Sequence, residues 1–273
     1  MLPLTVVFAE AEMPLSLAII GAGDLGLRVA QKRAILGDAV WAMRRRTLPM
    51  PAGVNAVIGD MHQAESLQLM PKKPDWLLFC ATPDERTEQS YRHVFLDGLQ
   101  NAMQTLQPKR TIFISSTAVY AQNNGQWVDE ASDVHPVRFN GKVLYEAEQL
   151  CLQAPGNVVL RLSGLTGPNR TMLINKAILG TDIQNTWTNR IHIDDAASAI
   201  SFLMNLNQIP SAINVTDDLP ALQIDVVNWI RSKQQLPELQ LSELQVSGKR
   251  ISNARLKALG WVPKYPSYKE IYM

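Results

Sequence analysis

The sequence of 273 residues has little of several things, and each scarcity excludes a class of protein. It has two cysteines, too few for a disulfide framework, which points to a reducing compartment. The expected location is therefore cytoplasmic. Lys and Arg number 26 against 25 Asp and Glu, a net charge of +1, so the basic excess of a nucleic-acid binder is missing. No apolar run approaches the roughly 18–20 residues that a membrane-spanning helix needs. Residues 1–9 are apolar, but no Lys or Arg precedes them, as a secretory signal would require. Residues 1–13 read instead as an N-terminal extension, with Met13 as an alternative start. No internal repeat and no low-complexity segment occurs. Neither HxxxH nor CxxC is present, so no metal site is expected. The expected partner is a small-molecule substrate, with neither nucleic acid nor membrane.

What is there is the material of a folded α/β protein. Hydrophobic residues make up 46% and charged residues 19%, too apolar a mixture for disorder. Short apolar runs that read as buried parallel strands lie at residues 15–20, 39–43, 55–58, 76–81, 111–114 and 157–162. Helical periodicity starts at Leu25 and continues through Val29 and Leu36 to a stop at Gly37. A longer helix is predicted from Tyr91 to Leu106, with Phe95, Leu99 and Met103 at spacings of three or four. Strands alternating with helices imply βαβ units and a Rossmann-type doubly wound parallel sheet. The reading divides the chain into a dinucleotide-binding Rossmann domain at 14–163 and a small C-terminal substrate lobe at 164–273, which partly completes it.

Gly21, Gly23 and Gly26 form a GxGxxG motif that follows the first strand and opens the first helix, with Asp24 and Leu25 between. This context is what makes the motif meaningful. Gly21 serves the tight turn, Gly23 leaves room for a pyrophosphate, and Gly26 lets helix and strand pack closely. The helix N-terminus offers free N–H groups to phosphate. An NAD site usually carries an acidic residue about 20 positions on, at the end of the second strand. Here that place reads Arg44, Arg45 and Arg46. A guanidinium suits a 2′-phosphate where a carboxylate would repel it. The expected cofactor is therefore NADP, with NAD as the alternative and Arg44 as the contacting residue. A solvated basic loop would explain Arg45 and Arg46 equally well.

With this motif, the runs at residues 114–120 (ISSTAVY), 161–168 (RLSGLTGP), 190–195 (RIHIDD) and 259–266 (LGWVPKYP) occur in the order seen in extended short-chain dehydrogenases. The chain resembles the NAD(P)-dependent epimerase/dehydratase group from about residue 14 to residue 272. The resemblance implies that Asp60 and Met61 border the adenine, and that Ala81, Thr82 and Pro83 line the cofactor. It places Ser115 and Ser116 beside the nicotinamide, with Ser116 at the active-site Ser/Thr position, and it puts Gly167 and Pro168 in a loop near the nicotinamide.

The departures matter more. These enzymes use a Tyr and, four residues later, a Lys that lowers the phenol's pKa for proton transfer. A glutamate follows the Lys by four. With Glu148 as that anchor, the Lys position holds Leu144 and the Tyr position holds Asn140. Lys142 and Tyr145 are near, but in reversed order and at the wrong spacing. Thr166 stands where a Tyr is usual, and residues 171–188 make a short clamp for a nucleotide sugar. The chain thus resembles the atypical branch, which keeps the fold and loses the pair.

The remaining candidates for proton transfer are Tyr120 and Tyr145, with Ser116 holding the substrate, although Ser116 could simply cap a turn. Arg190 and His192 are candidate substrate residues. His192, Asp194 and Asp195 could equally cap the following helix, the aspartates above all. Cys80 reads as inert core, and Cys151 has no base near it in sequence. The expected function is an NAD(P)-dependent oxidoreductase or epimerase-like enzyme acting on a small polar or sugar-like substrate. The alternative is an NADP(H)-binding sensor without turnover. A monomer or a homodimer is expected, with the helix at 91–106 as the candidate contact.

Overall fold

The computed structural model describes residues 13–47, 49–241 and 245–273. The expected extension at 1–13 thus lies, except for Met13, outside the described residues. The chain opens with β1 (Ser16–Ile20), α1 (Asp24–Ile35), β2 (Ala39–Arg44), β3 (Val54–Ile58), α2 (Ala64–Gln68) and β4 (Trp76–Phe79). It continues through α3 (Glu88–Arg92), a π-helical segment (His93–Gly98), α4 (Leu99–Leu106), β5 (Arg110–Ser116), β6 (Asn124–Val128), α5 (Phe139–Cys151) and β7 (Val158–Leu162). There follow β8 (Gly164–Thr166), α6 (Met172–Leu179), β9 (Thr186–Thr188), β10 (Arg190–His192), α7 (Ile193–Leu203) and β11 (Ala212–Val215). The last elements are β12 (Ala221–Leu222), α8 (Gln223–Lys233), β13 (Ser247–Ile251), α9 (Ala254–Ala258) and α10 (Tyr268–Ile271).

The main sheet has seven strands in the order β11-β7-β5-β4-β1-β2-β3, and every pairing in it is parallel. Chain direction across the sheet reverses between β1 and β4, the switch point where open α/β sheets bind ligands. Successive strand residues face opposite ways, and two cores result. Leu17 and Ile19 of β1 pack with Val29 and Ala30 of α1 and with Ala197 and Ile200 of α7. Ala18 and Ile20 pack on the other face with Leu99, Phe113 and Ala147. The sheet is doubly wound, as its alternating sequence implied.

Two expectations change. The single helix expected from 91 to 106 is three pieces, because the chain widens into the π-helical segment between α3 and α4. The sheet gains β11, which lies well past the last strand read from sequence. The chain crosses the 163/164 division in both directions. Beyond it, β11 and α7 complete the main sheet and its packing. Before it, β6 leaves for a small sheet ordered β12-β9-β13-β6. Around that sheet sits a minor core of Ala177, Val226, Val227 and Ile230. Among the described residues, no helix is long and apolar enough to cross a membrane.

A buried ion pair ties the layers together. Glu148 on α5 is bound by Arg161 on β7, Nη2 to Oε2 2.7 Å, and by the Ser115 hydroxyl on β5 at 2.6 Å. Both charged side chains are almost fully inside. Burial alone would lower the Arg161 pKa, but Glu148 outweighs it and raises it above the ordinary arginine value. Removing one partner of such a pair strands the other charge in low dielectric. Glu148→Ala should therefore cost about 3–5 kcal/mol of unfolding free energy, read from urea denaturation. A loss under about 1 kcal/mol, the worth of an exposed pair, would contradict the assignment.

Candidate functional site

A cleft of about 960 Å³ runs along the C-terminal ends of the main-sheet strands. Its floor is the glycine turn between β1 and α1. Gly21 has φ +86°, and a Cβ there would stand 2.3 Å from the Ala81 backbone, so the turn is open only to glycine. A Cβ on Gly26 would press on Cys80 Sγ at 3.0 Å and Ile19 Cγ2 at 3.3 Å, which brings α1 tightly onto the sheet. A Cβ on Gly23 would meet only Gly21 O at 3.9 Å, leaving its cleft side free. Gly23 is also the N-cap of α1 and brings no capping side chain. The first N–H groups of α1 thus face a cleft that an anion can enter.

Most of the expected cofactor residues converge here. Gly21, Gly23, Asp24, Leu25 and Gly26 line the cleft with Arg44, Asp60, Met61, Ala81, Thr82, Pro83 and Ser115. The three arginines after β2 divide sharply. Arg45 is held by Asp84 through two contacts of 2.7 Å, and Arg46 is exposed. Arg44 lines the cleft with Nε and Nη1 buried and without a partner. Buried donors are normally satisfied, so this guanidinium is poised for an acceptor from outside the chain. Arg170, which the sequence reading passed over, also lines the cleft and reaches Asp24 at 2.6 Å. Burial works against ionisation of Asp24, yet hydrogen bonds from Arg170 and Arg28 hold its carboxyl below the ordinary value.

Toward β5 and β7 the cleft is lined by Ser116, Asn140, Leu144, Ser163 and Leu165. Asn140 and Leu144 therefore look into it from the positions deduced by counting back from Glu148. Ser116 both lines the cleft and caps the following 3-10 turn, accepting from Ala118 N at 3.2 Å.

Several expected site residues are placed elsewhere. Tyr120 is buried, and its hydroxyl accepts from Arg161 at 2.8 Å and donates to Asn214 at 2.9 Å. Burial raises its pKa above the ordinary phenol value, against the pull of Arg161. Its proton is committed inside the structure rather than to a ligand. Tyr145 packs against the α5 side of the core and does not line the cleft. Gly167 sits on His192, where a Cβ would lie 2.8 Å from Nε2, and Pro168 turns its carbonyl to Arg170 at 3.2 Å.

Arg190 is interior: it contacts Asp217 at 3.7 Å, accepts the cover of the Tyr268 ring and donates to Thr188. Helix capping also falls differently from expectation. His192 is the cap of α7, its Nδ1 accepting from Asp194 N, and its ring lies on Tyr265. The aspartates look outward from the helix: Asp195 accepts from Lys264 N and Tyr265 N, and Asp194 binds Arg28. Imidazole can cap here because β10 delivers it directly over the first turn. Burial pushes both thiols up to about 12, so neither Cys80 nor Cys151 is an activated nucleophile.

The segment 91–106 has a charged outer side and an apolar inner one. Its outer side carries Arg92 bonded to Glu88 and Glu146, while Phe95, Leu99 and Leu106 point into the core.

Two predictions follow from these placements. Tyr120→Phe should cost about 1–2 kcal/mol of stability, the worth of hydrogen bonds to a charged partner, and leave dinucleotide affinity unchanged in a fluorescence titration. Burial raises the Asp217 pKa to about 8, against the pull of Arg190. The folded state thus holds a proton that the unfolded chain releases near 3.8, so stability falls as pH rises from about 4 to about 8. Asp217→Asn should flatten that slope in urea melts taken across the range. An unchanged slope would sink the assignment.

No family model matches the chain. Over 97 residues it is 37% identical to Protein YeeZ of Escherichia coli K12, a match covering 35% of this chain and 35% of YeeZ. The chain therefore aligns with about a third of the length of that curated relative. A solved structure from Methylobacillus flagellatus, provisionally described as an NAD-dependent epimerase/dehydratase, is 34% identical. It superposes with a TM-score of 0.83 over 94% of this chain and 96% of that one. The enzyme WbmG of Bordetella bronchiseptica, solved with NAD and UDP, shares the fold at 15% identity and TM-score 0.78, over 97% of this chain and 94% of its own. Likeness over nearly the whole of both chains, joined to a parallel sheet with a glycine turn at its switch point, leaves one family: the chain belongs to the NAD-dependent epimerase/dehydratases of the extended short-chain dehydrogenase superfamily.

Proposed function

We propose that the protein binds NADP(H) in preference to NAD(H) and acts as an epimerase-like oxidoreductase on a small polar substrate, without the usual Tyr and Lys. The observation that carries the cofactor choice is the Arg44 guanidinium, buried, unpartnered and lining the cleft. The end of β2, where an NAD site carries an acidic residue for the 2′-hydroxyl, is Arg44 itself. The open side of Gly23 and the uncapped start of α1 fit a pyrophosphate. A nicotinamide dinucleotide bound here would supply a hydride donor or acceptor.

The chain's own groups on the β5 side are few. The Ser116 hydroxyl and the Asn140 amide can orient a substrate oxygen. Leu144 and Leu165 keep that end of the cleft apolar. None of these groups titrates near neutrality, so proton exchange on this reading runs through water. A second reading, a dinucleotide-binding sensor without turnover, is favoured by the same observation. The phenol and ammonium positions hold an amide and an isobutyl group, and Tyr120 is sequestered.

Fluorescence titration of NADPH and NADH tests the cofactor choice. Arg44→Asp should weaken NADPH by about ten- to a hundredfold, the worth of a hydrogen bond to a charged group, and NADH far less. Equal losses would remove the NADP reading, and failure of both dinucleotides to bind below millimolar would remove both functions. Spectroscopy of the nicotinamide during incubation with nucleotide sugars and small carbinols separates enzyme from sensor. Redox change of the cofactor supports the first, and an unchanged spectrum with tight binding supports the second.

A further inference from the structure

His62 and His93 are 31 positions apart in sequence and belong to different elements. In the fold their rings stack with centroids 3.5 Å apart and planes within 11°. Both line the cleft. His62 follows β3 directly after Asp60 and Met61, and its backbone N–H is held by Asp60 Oδ1 at 2.9 Å. His93 is the first residue of the π-helical segment. The last residue of that segment, Gly98, lies against Met61, where a Cβ would stand 2.8 Å from the sulfur. The widened turn thus grips the loop after β3 at both ends, and π-helical turns of this kind recur at functional sites. One atom in the assembly is left over: His62 Nε2 is buried and has no partner.

We propose that His62, braced by His93, is a specificity-determining residue that reads the adenine ring of the dinucleotide as a neutral imidazole. The inference rests on the dinucleotide reading above and deepens it. Position argues first. The adenosine half of a dinucleotide lies on the β2 and β3 side of the switch point, and His62 stands at the end of β3. Chemistry argues second. A neutral imidazole offers one donor and one acceptor nitrogen, and adenine offers an amino donor beside ring-nitrogen acceptors. A phosphate offers acceptors only and would leave the acceptor nitrogen of a neutral ring unused.

The surroundings keep His62 neutral. Burial and then His93 lower its pKa, Arg45 after β2 works in the same direction, and Asp60 and Asp97 oppose them. His93 has Asp97 beside it at 3.4 Å. Two rings stacked this closely repel each other if both are charged. Neutral His62 is therefore the binding form, and because its pKa is lowered it persists until pH falls below the ordinary histidine value.

Isothermal titration with NAD⁺ and ADP-ribose, which share the adenine and lack the 2′-phosphate, tests the proposal between pH 8 and pH 5. Wild-type affinity for both should fall on acidification below about 6.5. His62→Ala should weaken both by about tenfold, the worth of one hydrogen bond. His62→Phe, which restores a ring without its nitrogens, should bind no better than His62→Ala and should lose the acid dependence. The proposal is overturned by an unchanged Kd in His62→Ala, by an acid dependence that survives in His62→Phe, or by tighter binding on acidification. If wild type binds neither of these ligands nor NADPH, the dinucleotide reading falls with it. If Arg44 still discriminates NADPH from NADH while His62 is silent, only the adenine role falls.

Discussion

The pairing of Glu148 with Arg161 organises the molecule. Four elements meet at it: α5 supplies the carboxylate, β7 the guanidinium, β5 the Ser115 hydroxyl and, through Tyr120 and Asn214, β11 closes the network. A buried charge pair of this kind is costly to desolvate and costly to break. It therefore tolerates one rotation of α5 about its axis and few others. Residues four apart share a helix face, so a Glu148 locked inward carries Leu144, one turn earlier, and Asn140, two turns earlier, to the cleft. Asn140 and Leu144 thus owe their place in the cleft to the carboxylate two turns and one turn further on.

The same network explains the fate of Tyr120. The segment after β5 needs its phenol inside, between a cation and an amide, where burial makes ionisation harder. Arg190 illustrates the same economy in the C-terminal half, where its guanidinium donates to the Thr188 and Leu219 carbonyls beneath the Tyr268 ring. Charged groups that look like catalytic candidates in a linear sequence are here used to hold layers together. What remains free in the cleft is a different set: an unpaired guanidinium at one end, two stacked imidazoles beside it, and hydroxyl and amide groups at the other.

Much of this was legible in the sequence. The strands β1 to β5 and β7, the glycine turn and the arginines after β2 depend on local pattern: period, turn chemistry and charge within a few residues. The π-helical break inside 91–106, the edge strand β11 and the swap of β6 into the small sheet were not. Each depends on a partner far away in the chain. β11 is a strand because β7 presents an open edge to it, and β6 leaves because β13 receives it. The choice of Arg44 rested on its place at the strand end; its physical reason lies in the fold, which brings Asp84 to Arg45 and leaves two Arg44 nitrogens without a partner.

The sequence by itself determined the doubly wound sheet, the glycine turn after β1 and the face of α5 that carries Asn140, Leu144 and Glu148, because each is written in spacing along a single element. The tertiary structure alone decided which polar side chains are spent and which are available. Availability is a matter of what stands within hydrogen-bond distance across the fold. Arg161 and Tyr120, His62 and His93, and Arg170 and Asp24 are pairs that no local periodicity can join.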